Sequence, residues 1–177
     1  MKKTLIIALC CMALSFAACH KPDNPDTPDD PTPEEVVDYT PNYIGNYIGS
    51  YNFVITSMNN TPQTSLSFPM DNIMMDITKG SGDNVIKATV TVDNETRETT
   101  GTAMEDKIDF DFVHLTIDKP DQGYNFALDL KMEGEKTVGD TLNIVGSFTG
   151  NGTFVFLGVE NILDEVSGTL TGALVKQ

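Results

Sequence analysis

The chain has 177 residues, 40% of them hydrophobic and 21% charged, with 14 Gly and no Trp. That balance fits one globular domain with tails and excludes a fibre or a wholly disordered chain. A formal charge of −15, from 26 acidic and 11 basic residues, excludes nucleic-acid binding by phosphate neutralisation and adsorption to an anionic membrane by charge alone.

The first residues, MKKTLIIALCCMALSFAAC, place Lys2 and Lys3 ahead of an apolar run from Leu5 to Ala18 that ends in small residues before Cys19. The run is shorter than the about 20 residues that cross a bilayer, so residues 1–18 read as a signal peptide removed on export. Phe16-Ala17-Ala18-Cys19 resembles the lipobox of bacterial lipoproteins, with Phe16 where Leu is usual. The resemblance implies a diacylglycerol thioether on Cys19 and a membrane partner through that anchor. It implies an exported protein held at the outer membrane, on the periplasmic or the surface-exposed face. An ordinary signal peptide would instead leave a free thiol. Cys10 and Cys11 depart with the signal, so the mature chain is expected to have no disulfide, no Cys-based zinc site and no thiol nucleophile.

Residues 19–42 read as an acidic, Pro-rich linker behind the lipidated cysteine. Pro22, Pro25, Pro28 and Pro31 recur every third residue, the period of polyproline II, while Asp23, Asp26, Asp29 and Asp30 stay solvated. Such a segment cannot bury a core, and at about 3.1 Å per residue it holds a domain tens of ångströms from a membrane. The aspartates are read as a solvated charge run rather than a calcium site.

From residue 43 to 177 apolar and polar residues alternate, with turn signals every 8–12 positions, the mark of an all-β domain. Period-two runs occur at 47–57, 73–79, 85–92, 97–103, 108–117, 124–132, 141–149, 153–159 and 166–175. In the clearest, Tyr124, Phe126, Leu128, Leu130 and Met132 face a core while Asn125, Asp129 and Lys131 face water. Gly80-Ser81-Gly82-Asp83-Asn84, Asp93-Asn94, Asp121-Gln122-Gly123 and Gly150-Asn151-Gly152 are expected hairpin turns, and 160–165 a short turn of helix. Glycines inside strands (Gly45, Gly49, Gly146, Gly168, Gly172) mark barrel corners or close backbone approach. The expected fold is a small antiparallel up-and-down β-barrel of about 8–10 strands, with a β-sandwich as the alternative.

The opening Tyr43-Ile44-Gly45-Asn46-Tyr47-Ile48-Gly49-Ser50-Tyr51 resembles the first strand of lipocalin-like or calycin-like domains. The late hairpins Val145-Gly146-Ser147-Phe148-Thr149-Gly150 and Ser167-Gly168-Thr169-Leu170-Thr171-Gly172 are similar to the same group. The resemblance covers residues 43–177 and is to small envelope lipoproteins of Bacteroidetes. Tyr47 or Tyr51 stands where a true lipocalin has the Trp of its Gly-x-Trp signature. The resemblance implies an architecture rather than a chemistry.

The residues that carry catalysis elsewhere are sparse here. His114 is the one histidine of the domain, expected to share a face with Ile108, Phe110 and Phe112 as a structural or rim residue. No Gly-x-Ser-x-Gly elbow accompanies it. Asp109 and Asp111 read as outer-face acids rather than paired glycosidase carboxylates. No enzyme, cofactor or metal site is expected. Tyr124, Phe126, Leu128, Leu130, Met132, Phe148, Phe154 and Phe156 are the candidate lining of an apolar pocket, since an eight-stranded barrel either fills with its own side chains or holds one small ligand. Tyr39, Tyr43 and Tyr47 are expected to form a partner surface or to cap a barrel mouth. Asp140-Thr141-Leu142 resembles the Asp-Thr-aliphatic O-glycosylation motif of exported Bacteroidetes proteins, which makes Thr141 a candidate acceptor. Two readings of function remain open: a module binding a small hydrophobic ligand, or a filled barrel acting as an interaction or structural module for a protein or glycan partner.

Overall fold

The computed structural model describes residues 36–177 apart from Asn94 and Val138, so the signal peptide, Cys19 and most of the linker lie outside the described residues. Beyond one 3-10 turn at Thr40–Asn42, the described chain is β-strand and turn: β1 Gly45–Met58, β2 Thr61–Lys79, β3 Val85–Val92, β4 Glu95–Ala103, β5 Lys107–Phe110, β6 Val113–Lys119, β7 Tyr124–Thr137, β8 Thr141–Phe156 and β9 Val159–Lys176.

Every pairing is antiparallel, and the order β5-β4-β3-β2-β1-β9-β8-β7-β6 gains a further β5–β7 pairing that closes a ring. The register explains why nine strands make an eight-sided ring. Asp109 pairs with Glu133 and Val113 with Leu130, so three residues of the incoming chain face two of β7. β5 and β6 are therefore one stave broken by a bulge at Asp111 and Phe112. With that bulge counted, each stave neighbours the next in sequence and β9 returns to β1. This is the expected up-and-down, barrel-like arrangement, in which β2 meets β3 only over Met74–Lys79 and its earlier part pairs with β1 alone.

Alternation then sorts the side chains. Tyr47, Tyr51, Phe53 and Ile55 on β1, Ile86, Ala88 and Val90 on β3, and Phe126, Leu128, Leu130 and Met132 on β7 all point inward and are buried. Asn46, Asp76, Lys87, Glu98 and Asp129 point outward. An apolar interior and a polar wall are the reverse of a barrel that spans a bilayer. Each buried Leu, Ile, Phe or Met contributes about 1.5–3 kcal/mol relative to exposure, so this interior is the main source of stability.

Inward-facing glycines make room for the rings. A Cβ on Gly168 would lie 2.5 Å from Phe148 Cζ and closer still to the Val54 carbonyl; a Cβ on Gly49 would run into the Ala173 carbonyl. Those positions are close approaches of backbone, as the glycine spacing implied.

The structure corrects four local expectations. Gly150-Asn151-Gly152 is no turn: it lies within β8, with a register shift between Gly150 and Gly152, and the 141–149 and 153–159 runs belong to one strand and its tip. The helical turn at 160–165 is the first part of β9. β2 begins twelve residues before its expected start at 73, because Asn59 and Asn60, both at positive φ, form a two-residue turn. The domain also begins earlier than residue 43. Asn84 accepts a hydrogen bond from Tyr39 N and donates one to Val37 O, Asp38 pairs with Lys79, and Tyr43 is wholly buried with its hydroxyl donating to Met104 O.

Up-and-down connectivity assigns each loop to an end. The 36–44 segment, the β2–β3 and β4–β5 loops, the β7–β8 turn and the C-terminus gather at one end, here called the lower. The β1–β2, β3–β4, β6–β7 and β8–β9 turns gather at the upper end.

Candidate functional site

The candidate pocket residues separate into four groups. Tyr124, Phe126, Leu128 and Phe148 converge in the upper half of the interior with Phe53, Ile55, Phe68, Met70 and Ile117, around a void of only about 10 Å3. That is about the least space that holds one water molecule. The rings fill the rest: Phe68 lies 4.8 Å from Tyr124 and 5.6 Å from Phe126, and Phe53 lies 5.7 Å from Phe148. Leu130 and Met132 sit deeper, buried but away from the void, and Phe154 is half-buried where β8 leaves the interior.

Phe156 departs from the expectation. It keeps the inward phase of β8 but lies beyond the rim, 62% exposed, because the β8–β9 hairpin continues past its neighbours. The β1–β2 turn ends level with the Met58–Val166 pair, whereas β9 runs on to Val159. This protrusion carries Val155, Phe156, Leu157, Val159 and Ile162, with Leu157 88% and Ile162 70% exposed. The β6–β7 turn braces one side of its base, where Val155 N donates to Gly123 O. Asn59 braces the other, donating from its backbone N to Glu165 O and from Nδ2 to Ile162 O, and accepting at Oδ1 from Glu165 N. In the sequence this element is masked by Gly150-Asn151-Gly152, which carries the chemistry of a turn. The available signal was the charge gap: no charged residue lies between Asp140 and Glu160.

At the lower end Tyr43 and Tyr47 are buried rather than exposed, and Tyr47 donates to the Tyr43 carbonyl at 2.8 Å. They close the barrel. Burial, with Asp106 and Tyr47 nearby, pushes the Tyr43 phenol up to about 12. Burial also raises Tyr47, with Asp140 adding to it, and raises Tyr51. The Tyr51 hydroxyl is enclosed without a partner among the described residues. Hydrogen bonds from Lys79 and Thr40 hold the Asp38 carboxyl well below the usual carboxylate range.

The bulge at Asp111–Phe112 moves His114 to the other face from the one expected. Val113, Leu115 and Ile117 turn inward, Phe112 is exposed, and His114 stands on the outer wall with Nδ1 3.0 Å from Asp129 Oδ1. Asp109 Oδ1 lies 2.7 Å from Lys131 Nζ, an ion pair off the line of a hydrogen bond, and Asp111 accepts from the Thr100 hydroxyl. The two acids are thus engaged with different partners. Among the described residues no group of three or more His, Cys, Asp or Glu is placed to hold a metal ion. Thr141 opens β8 opposite Thr137, half-buried, beside Asp140 and the buried Leu142.

No protein-family model matches this sequence, and no curated protein matches it.

Proposed function

We propose that the protein is a lipid-anchored lipoprotein of the bacterial cell envelope, lipocalin-like in type, whose filled barrel is a non-catalytic scaffold for binding a protein or glycan. The observation that carries this reading is the division of apolar surface. The aromatic void in the interior holds only about 10 Å3, while five apolar side chains stand outside it on the β8–β9 hairpin. Contiguous exposed apolar surface of several hundred Å2 marks interaction sites, whereas a ligand pocket needs roughly 300 Å3 or more. The anchor rests on Phe16-Ala17-Ala18-Cys19 and its position ahead of an acidic linker.

A second reading, a carrier of a small hydrophobic ligand, draws on the aromatic lining of Phe68, Tyr124 and Phe126. It requires those rings to move apart. Denaturing organic extraction of the full chain purified from its host separates the two, because it frees noncovalent molecules and leaves acyl chains on Cys19 in place. The scaffold reading expects no small molecule near one per chain; a stoichiometric apolar compound would overturn it. Cys19→Ser is expected to abolish palmitate labelling, and retained labelling would refute the anchor.

A further inference from the structure

Resting on that reading, we infer that the β8–β9 hairpin tip is the docking element, and that it fits a protein with an apolar socket rimmed by Lys and Arg side chains. Three independent features of the tip converge on this.

Its turn is made of the wrong residue for stability alone. Leu157 and Gly158 form the two-residue connection between Phe156 and Val159, with φ of 51° and 78°. Positive φ at both central positions favours Asn, Asp and Gly. The chain obeys that preference elsewhere: Asn59 and Asn60 occupy the β1–β2 turn, and Asp93 with φ 49° occupies the first position of the β3–β4 turn. At the tip a leucine takes the strained conformation and is almost fully exposed. Local turn chemistry and surface polarity are both violated at one residue, which is where a functional constraint is expected.

The hairpin is also presented rather than merely exposed. Past Ile162 O, which Asn59 reaches, and Val155 N, which Gly123 holds, the tip has no strand alongside it among the described residues. Contacts to Asn59 and Gly123 stiffen its base, so little order need be gained on binding. Val36, where the described chain begins, lies at the lower end beside the β2–β3 loop. The described chain thus enters the domain at the end opposite the tip.

Charge selects the occupant. Glu160, Asp164 and Glu165 collar the tip, and Asp121 lies on the neighbouring turn. Among the described residues, the cations near this end are engaged: Lys119 with Asp93 at 2.6 Å, and Arg97 with Glu95 at 3.1 Å. An acidic collar repels a second copy of the same surface and an anionic lipid leaflet, and it complements a basic rim.

The test places a photo-crosslinking amino acid at position 157 of the full chain in its native host, with parallel probes at Ile48 and Phe112, two apolar residues exposed elsewhere on the wall. The expected result is a protein crosslink from position 157 that maps to apolar residues flanked by Lys or Arg. Its yield should fall at least tenfold in the Glu160→Lys, Asp164→Lys double variant. Crosslinks from position 157 to lipid, to glycan, to a second copy, or to nothing would overturn the inference, as would indifference to charge reversal. A partner captured only at Ile48 or Phe112 overturns the tip while leaving the scaffold reading standing; a stoichiometric extracted ligand defeats that reading itself. Leu157→Asn guards against misfolding, because Asn suits the turn. In competition with unlabelled full chain, this variant should melt at or above the wild-type temperature and compete at least tenfold less well for the crosslink. Undiminished competition would refute the role of Leu157.

Discussion

Gly168→Ala tests the packing logic of the barrel, because the ordinary expectation for the substitution has the opposite sign. Replacing a strand glycine by alanine narrows the unfolded ensemble and, where space allows, stabilises by about 0.4–1 kcal/mol. Here the added methyl would sit 2.5 Å from Phe148 Cζ, about 1 Å inside the 3.5–4.0 Å optimum for carbon contacts. It would also press on the Val54 carbonyl of β1. Neither group can withdraw cheaply. Phe148 is held against Phe53 at 5.7 Å, and Val54 lies in the β1–β9 ladder opposite Thr169. Overpacking of this kind costs about 1–3 kcal/mol, and a backbone obstacle places the figure near the top of that range. A loss of about 3 kcal/mol lowers the melting temperature of a domain this size by roughly 10 °C. Thermal unfolding followed by far-ultraviolet circular dichroism reads the shift, with the exposed neighbour Thr169→Ala as a control expected to stay within about 0.5 kcal/mol. In a cycle with Phe148→Ala, the ring's share should appear as coupling of about 1 kcal/mol, leaving the carbonyl's share behind. An unchanged or raised melting temperature for Gly168→Ala would mean that the strands do not approach as described.

Three further expectations follow from other parts of the molecule. Asn84→Ala removes both hydrogen bonds that hold Val37 and Tyr39 against the β2–β3 loop, at about 1 kcal/mol each. Limited proteolysis should then cut residues 36–42 before the barrel, and unaltered protection would count against the clasp. Burial pushes the Tyr43 phenol from its ordinary 10.0 up to about 12 in the folded chain. Because the unfolded chain releases that proton first, stability should fall from about pH 10 to about pH 12 and level off above. Phenolate absorbance from Tyr43, Tyr47 and Tyr51 should therefore rise together with loss of β-sheet dichroism; full ionisation with the sheet intact would contradict their burial. Phe126→Ala empties the ring that packs on Phe68 and Tyr124, at about 3–5 kcal/mol. It should create an apolar space that takes up xenon or benzene, which the wild type should exclude. Equal uptake by both proteins would show that the native interior is not filled.

Much of the architecture was legible because alternation is a local signal. β3 at 85–92 and the buried face of β7 from Tyr124 to Met132 follow directly from period-two patterning, and strand glycines correctly marked tight approach at Gly49 and Gly168. The errors lie where a rule of composition competed with register. Gly150-Asn151-Gly152 carries turn chemistry yet lies inside β8, because its glycines serve contact: a Cβ at either would meet the carbonyl of Ala127 or Asn125 on β7. The true turn was hidden by a leucine at a position where asparagine would have announced it. Alternation puts His114 on the wrong face because it has no memory across a bulge, and one extra residue at Asp111–Phe112 inverts the phase of everything after it. For the candidate pocket, residue type and face were right for Tyr124, Phe126, Leu128 and Phe148. How much space they leave depends on rotamers and on neighbours distant in sequence, such as Phe53 and Phe68, which no local pattern encodes.

The bulge and the overlong hairpin have a common consequence for how this fold is divided between stability and recognition. The ring closes at its weakest seam through three β4–β5 pairs and the bulged stave, with side chains completing the join above: Glu95 accepts from Thr116 N, and Thr99 donates to Asp111 O. The β8–β9 pair lies elsewhere in the ring, with a paired strand at its base on both sides, β7 through Phe154 and β1, after a register shift at Ile55–Ser57, through Val166. Strain at the Leu157 turn is thus stored on a hairpin flanked at its base by β7 and β1 and braced by Asn59 and Gly123, away from the bulged seam. Relieving it should stiffen the tip and leave the core as it was. Removing the founding contacts at Asn59 should instead loosen the hairpin without unfolding the barrel. Stability and presentation are therefore separable here, and substitutions at the tip report on recognition alone.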